Sequence, residues 1–209
     1  MKIDEVKEMV IKGRIKKVPG LVEEALEEGS AAMDILNTMI GAMDVVGEKF
    51  KNGEIFVPEM LWGARAMKAG VEVLKPHLGD GSASVSGKFV MGSVAGDLHD
   101  IGKNLVCMMI ESAGFEVIDL GVDVPIEKFI STVEENPDVK SVGCSALLTT
   151  TMPSLKDTVA ALNAAPFRDR IKVMVGGAPV TQEFADEIGA DAYTADAAAA
   201  AKKAKELVA

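Results

Sequence analysis

The sequence predicts an N-terminal helical bundle joined to a C-terminal α/β domain, a doubly wound parallel sheet of five strands. Three observations carry that expectation. Up to about Leu78, apolar residues recur at spacings of three and four with almost no strand signal. Residues 79–84, Gly-Asp-Gly-Ser-Ala-Ser, are small and polar, the composition of a linker. Beyond them, short apolar runs alternate with helical segments, which implies βαβ units, right-handed crossovers and a sheet covered on both faces. The expected domains are residues 1–84 and 85–209.

In the first domain, the helical run over residues 21–28 stops at Gly29, and Ser30 offers an N-cap for the next helix. That helix carries Met33, Leu36, Ile40, Met43 and Val46 on one buried stripe and closes near Phe50. Lys51-Asn52-Gly53-Glu54 reads as a turn, Pro58 suits the first turn of a new helix, and residues 60–78 continue it. In the second domain, strands are expected at 89–94, 117–120, 142–145 and 173–175, with helices at 101–113, 125–135, 153–164 and 182–188. Residues 191–193 supply a short fifth strand and 195–208 a closing helix.

Composition narrows the function. The 209 residues are 48% hydrophobic, enough for real cores, and the formal net charge is −10. Such a chain is a poor partner for nucleic acid or an anionic membrane and suits selective docking to other proteins. There is no apolar run of the roughly 18 residues a spanning helix needs, and residues 1–10 lack the apolar core of a signal peptide. A cytoplasmic location is expected. Cys107 and Cys144 fall in apolar segments, too few and too far apart for a disulfide framework or a zinc knot, and read as reduced core thiols.

Asp97-Leu98-His99-Asp100-Ile101-Gly102 is the most informative stretch, because it lies where an apolar strand gives way to a helix. In open α/β sheets the carboxyl ends of the strands form the binding crevice, so an imidazole there is placed to meet a ligand. A neighbouring carboxylate, Asp97 or Asp100, fixes the tautomer of His99 and makes it a better ligand or base. Asp97 also reads as an ordinary helix N-cap, and Gly176-Gly177 as an ordinary strand-to-helix turn. Gly92, Gly96, Gly121, Gly143, Gly176 and Gly177, however, cluster in or beside strand ends. That is more missing side chain than tight turns require, and it suggests a long ligand inserted among the strands. The stretch from Gly96 to Gly102 lacks both the P-loop lysine-hydroxyl pair and the dinucleotide glycine spacing.

Asp97-x-His99-x-x-Gly102, Ser145-x-Leu147 and Gly176-Gly177 together resemble the signature of the cobalamin-binding domain in methylcobalamin-dependent methyltransferases, the module also found in methionine synthase. The resemblance covers essentially the whole chain. Asp44-Val45-Val46-Gly47-Glu48-Lys49-Phe50, Phe56-Val57-Pro58-Glu59 and Ala64-Arg65-Ala66-Met67-Lys68 resemble the family's helical cap. The nearest pattern is that of stand-alone corrinoid proteins in the methyltransferase systems of methanogens and acetogens.

The resemblance implies a cobalamin or related corrinoid bound with its own base swung away from cobalt and His99 as the metal ligand. Asp97 would accept a hydrogen bond from the imidazole, and Thr151 stands where relatives carry a serine hydroxyl in the same relay. The nucleotide tail would run into the sheet past Ser145, Gly176 and Gly177. Gly96, Leu98, Asp100, Gly102, Leu147, Thr149 and Ala178 would line the corrin or tail, and Phe50 and Val57 would shield the reactive face. The implied function is a methyl carrier, non-catalytic alone. One substrate-specific methyltransferase loads it from a small donor, a second passes the methyl to a folate or thiol coenzyme, and a reductive activator can restore it. Three alternatives use related domains. A cobalamin-dependent sensor acting through a protein partner is the first, although no DNA-binding segment is visible. A mutase-type domain would lack this cap. A phospho-receiver needs an aspartate where Ser145 stands and a lysine where Ala195 stands.

Overall fold

The computed structural model describes residues 2–78 and 86–208; the expected linker at 79–84 lies outside the described residues. Contacts divide the chain into two compact units. One comprises the N-terminal helices with residues 111–114, the other residues 86–110 and 115 onward.

The first unit holds α1 (Lys2–Ile11), α2 (Val18–Glu27), α3 (Ala32–Lys51) and α4 (Val57–Leu74). On α3 Leu36, Ile40, Met43 and Val46 of the expected stripe are buried, Met33 is only partly so, and Met39 joins the buried face. It meets a face of α4 built from Met60, Gly63, Ala64, Met67 and Gly70. Small residues set that approach: a methyl group on Gly70 would lie 2.7 Å from Met39 Sδ and 2.8 Å from Val18 Cγ1. Two boundaries differ from expectation. Ser30 does not cap α3, whose N-cap is Ala31 with no side-chain bond. Instead Gly29, at φ 89, turns the chain so that its own N–H and that of Ser30 satisfy the carbonyls of Leu26 and Ala25, each at 3.0 Å. Helix α4 ends at Leu74 rather than running to residue 78, and Lys75–His77 forms a 3-10 turn. Pro76 has no N–H with which to extend the ladder. At the start of α4, the Glu59 carboxylate accepts the Phe56 N–H at 3.1 Å.

The second unit is a five-stranded parallel sheet in the order β2-β1-β3-β4-β5. Its strands are β1 (Lys88–Ser93), β2 (Glu116–Asp119), β3 (Val139–Ser145), β4 (Lys172–Gly176) and β5 (Ala192–Tyr193). They alternate with α5 (Ile101–Ser112), α6 (Ile126–Glu135), α7 (Met152–Ala164), α8 (Gln182–Ile188) and α9 (Ala197–Val208). Every strand and helix expected in this unit is present. The chain leaves β1 toward β2 on one side and returns to β3 on the other, so the topological switch point lies between β1 and β3. At that edge Ser93 pairs with Ser145, and Ser145 with Gly176. Cys107 and Cys144 are both buried and not joined in a disulfide, and burial pushes the Cys144 thiol up to about 12, so it stays protonated.

Several strand glycines answer to the protein's own packing. A methyl group on Gly92 would lie 2.8 Å from Phe129 Cζ, and one on Gly143 would lie 2.8 Å from Phe89 Cε1. At these two positions large core side chains, rather than a ligand, take the space the glycines leave. Gly177, at φ 131, passes so close to the next strand connection that any Cβ would overlap the Ala146 carbonyl oxygen. Open space remains beside Gly102 and Gly121, where an added methyl meets no atom within 4 Å.

Phe129 is fully buried and packs into the gap left by Gly92. Phe129→Ala is expected to cost about 3–5 kcal/mol in denaturant unfolding. A loss under about 1 kcal/mol would show that the sheet closes over the gap.

Candidate functional site

The site grows from the two connections that flank the switch point. After β1, Val94 N–H donates to Ser145 O at 3.0 Å, Asp97 N–H closes a turn on Val94 O at 3.0 Å, and α5 starts only at Ile101. After β3, Ala146 N–H donates to Gly176 O at 3.1 Å, and the 3-10 turn Thr149–Thr151 leads into α7. The two connections meet at one carboxylate.

Asp97 is 1% exposed and accepts four hydrogen bonds. Its Oδ1 takes the His99 backbone N–H at 3.0 Å and pairs with His99 Nδ1 at 2.8 Å. Its Oδ2 takes the Leu147 N–H at 2.6 Å and the Thr151 hydroxyl at 2.9 Å. The structure thus brings together Asp97, His99, Leu147 and Thr151, with the Thr151 side chain buried beneath the loop. Asp97 is not the N-cap of α5, because its carboxylate is consumed by this cluster. Burial pushes its pKa up, but the bonds from Leu147 N–H, His99 N–H, the imidazole and the Thr151 hydroxyl outweigh that and hold it at about 2. An ionised carboxylate only accepts, so His99 Nδ1 is the donor in this pair and Nε2 is the ring nitrogen left for a ligand. The imidazole is 46% exposed. An imidazole oriented in this way at a sheet edge is suited to ligate a metal through Nε2.

The other residues singled out in the sequence are distributed around this cluster. Leu98 and Ile101 are 72% and 86% exposed, and Leu147 and Leu148 about 40%, so exposed apolar side chains flank His99 on both connections. Gly96 turns at φ 83, and its N–H donates to Asp123 Oδ1 at 2.7 Å. Asp100 does not bond the imidazole; it takes the Asn104 amide at 3.3 Å at the start of α5. Gly102 is open, Ser145 and Gly176 are half-buried register neighbours, and Thr149 and Ala178 are exposed on the connections after β3 and β4. Phe50 and Val57 belong to the helical unit. Phe50 is half-buried in the last turn of α3, and Val57 is exposed at the start of α4, beside the more exposed Phe56.

Sequence reasoning missed three supports. The Ser93 hydroxyl donates to the His99 carbonyl at 2.9 Å. Lys103, one residue past Gly102, is buried and its ammonium donates to both Asp119 oxygens at 2.6 Å and to Asn104 Oδ1 at 2.7 Å. A lysine inside an apolar helical run was the available signal, since burying its charge demands a partner. Asp123 had no such signal.

Asp97 titrates at about 2 in the folded chain against an ordinary 3.8, so its contribution is fully present above about pH 4 and is lost as pH falls toward 2. The shift corresponds to about 2 kcal/mol. Asp97→Asn is therefore expected to lose about that much stability near neutrality, with the gap to the parent narrowing as unfolding is measured from pH 5 down to pH 3. A pH-independent gap would contradict the ionised hub.

Comparisons with known proteins agree with this geometry. Two B12 binding domain families match the chain, one over residues 87–202 and one over residues 2–75. Dimethylamine corrinoid protein 1 of Methanosarcina acetivorans is 44% identical over 209 residues, 99% of this chain and 97% of its own length. A corrinoid protein of Desulfitobacterium hafniense is 39% identical, again over 99% of this chain. Among solved structures, a cobalamin-binding protein from Desulfitobacterium hafniense superposes with a TM-score of 0.83 at 32% identity, covering 99% of this chain and 98% of its own. A chain of the methanol:cobalamin methyltransferase complex of Methanosarcina barkeri gives 0.85 at 30% identity, covering 99% of this chain and 79% of its own. With both units matched and relatives this similar end to end, the chain belongs to the family of corrinoid proteins built on B12 binding domains.

Proposed function

We propose that this chain is the methyl-carrying subunit of a corrinoid-dependent methyltransferase system, with His99 Nε2 as the metal ligand. The carrying observation is the ionised Asp97, which ties Nδ1 of His99 and leaves Nε2 for a ligand at the switch point of the sheet. The residues present fit such a group. Among the described residues, no three His, Cys, Asp or Glu side chains converge to hold a metal ion. A single imidazole suits a metal that brings its other ligands in its own ring. The exposed Leu98, Ile101, Leu147 and Leu148 suit a broad apolar macrocycle, and the open space at Gly102 and Gly121 leaves room for it.

When bound, a corrinoid supplies a cobalt that accepts a methyl group and yields it to a nucleophile. The protein's part is orientation. Asp97 holds the imidazole, Thr151 and Leu147 N–H hold Asp97, and Ser93 holds the His99 backbone. In this reading the corrinoid is bound with its own base displaced by His99, residues 85–209 form its binding domain, and residues 1–84 form a protective cap with Phe50 and Val57 as the shielding side chains. Ser145, Gly176, Thr149 and Ala178, at the edge beyond β3 and β4, are assigned to the nucleotide tail. Gly177 is assigned to backbone packing first, since its space is filled by Ala146.

The partners follow from the carrier role: a substrate-specific methyltransferase, a second methyltransferase delivering to a folate or thiol coenzyme, and a reductive activator, all in the cytoplasm. Dimethylamine is the donor to test first, because relatives 44% identical carry that name. No described helix is long and apolar enough to cross a membrane.

Reconstitution of the purified chain with methylcobalamin under anaerobic conditions tests this. The parent is expected to give a stable coloured complex in the histidine-ligated form, and His99→Ala a folded complex whose visible spectrum is shifted. Identical spectra would remove His99 from the metal.

A further inference from the structure

Asp123, in the connection between β2 and α6, is the only non-glycine residue among those described with a left-handed backbone, at φ 52. That conformation is unfavourable for any residue with a Cβ, and aspartate is among the few that tolerate it. An outlier of this kind persists where surrounding bonds hold it, and such positions gather at functional sites. Two bonds hold this one, both to the loop that carries His99. The Asp123 N–H donates to the Asp97 carbonyl at 2.9 Å, and Asp123 Oδ1 accepts the Gly96 N–H at 2.7 Å.

The rest of the connection is anchored to β1 and α5. Leu120 N–H donates to Met91 O at 2.8 Å, Ser93 N–H to Gly121 O at 3.0 Å and Val124 N–H to Ser93 O at 3.0 Å. The Asp119 carboxylate holds the buried Lys103 ammonium and also accepts the Gly121 N–H at 2.9 Å. The connection is therefore a rigid brace with Asp123 at its tip. The side chain of Asp97 gathers the imidazole, Leu147 and Thr151, while Asp123 fixes the main chain of Gly96 and Asp97 from the opposite side.

We infer that Asp123 is a positioning residue for His99: by clamping Gly96 and Asp97 it sets the direction from which the Asp97 carboxylate meets Nδ1. Its consequence for metal ligation rests on the corrinoid-carrier reading above; its effect on the imidazole does not. Three chains separate this role from local loop stability. Asp123→Asn keeps an acceptor oxygen and tolerates the left-handed backbone. Asp123→Gly relieves the backbone but deletes the acceptor, so a residue that served only the turn would leave His99 undisturbed in this variant.

The chain has two histidines, so imidazole proton-nitrogen correlation spectra of the full ligand-free protein read His99 directly, with His77 as the internal reference. Parent and Asp123→Asn are expected to show His99 in one tautomer, protonated at Nδ1, whereas Asp123→Gly shows a mixture of tautomers with His77 unmoved. After reconstitution with methylcobalamin, the ratio of histidine-ligated to unligated form should fall about fivefold in Asp123→Gly and remain near the parent in Asp123→Asn, a change one ordinary hydrogen bond supports. His99 signals that coincide in all three chains, or a loss in Asp123→Asn as complete as in Asp123→Gly, would overturn the assignment. A parent chain that takes up no corrinoid would instead sink the carrier reading, and the imidazole spectra would still decide the role of Asp123.

Discussion

Asp97 is the point on which the site depends. A carboxylate 1% exposed is costly to ionise, and it stays ionised here because Leu147 N–H, His99 N–H, the imidazole and the Thr151 hydroxyl all donate to it. The donors come from two connections of the sheet. His99 is two residues away and is brought back by a turn; Leu147 and Thr151 are 50 and 54 residues away and arrive only because β1 and β3 are neighbours. The sheet order is thus what assembles the hub, and the hub is what decides which nitrogen of His99 is free.

That dependence explains the division of labour along the sheet edge. The strand ends are pinned to one another through Val94 to Ser145 and Ala146 to Gly176, so the loops that leave them start from fixed positions. Above this frame Leu98, Ile101, Leu147 and Leu148 are exposed apolar side chains around His99, with the exposed Asp100 beside them. Apolar side chains around one imidazole offer a surface that would accept a flat organic ring.

The architecture was legible because it rests on local signals. The alternation of short apolar runs with helical segments placed β1 to β4 within a residue or three of their observed limits, and Gly29 marked the end of α2. Errors arose where a signal has two physical sources. Ser30 resembles an N-cap but completes the stop of α2, and Gly92 and Gly143 look like space for a ligand but accommodate Phe129 and Phe89. Within the site, Asp97 and His99 stood out as a local pair, and periodicity alone could not join them to Thr151; the resemblance to cobalamin-binding domains did. Lys103 with Asp119 and Asp123 with Gly96 are long-range pairs that no local pattern encodes.

The account's central claim is a bond between His99 Nε2 and cobalt, and the electron paramagnetic resonance of the cobalt(II) form reports it directly. The chain is produced with nitrogen-15 histidine and reconstituted with unlabelled corrinoid. If His99 is the axial ligand, the nitrogen splitting on the cobalt lines changes from a triplet to a doublet. A triplet that persists in the labelled chain would place the cofactor's own base on the metal and contradict the account.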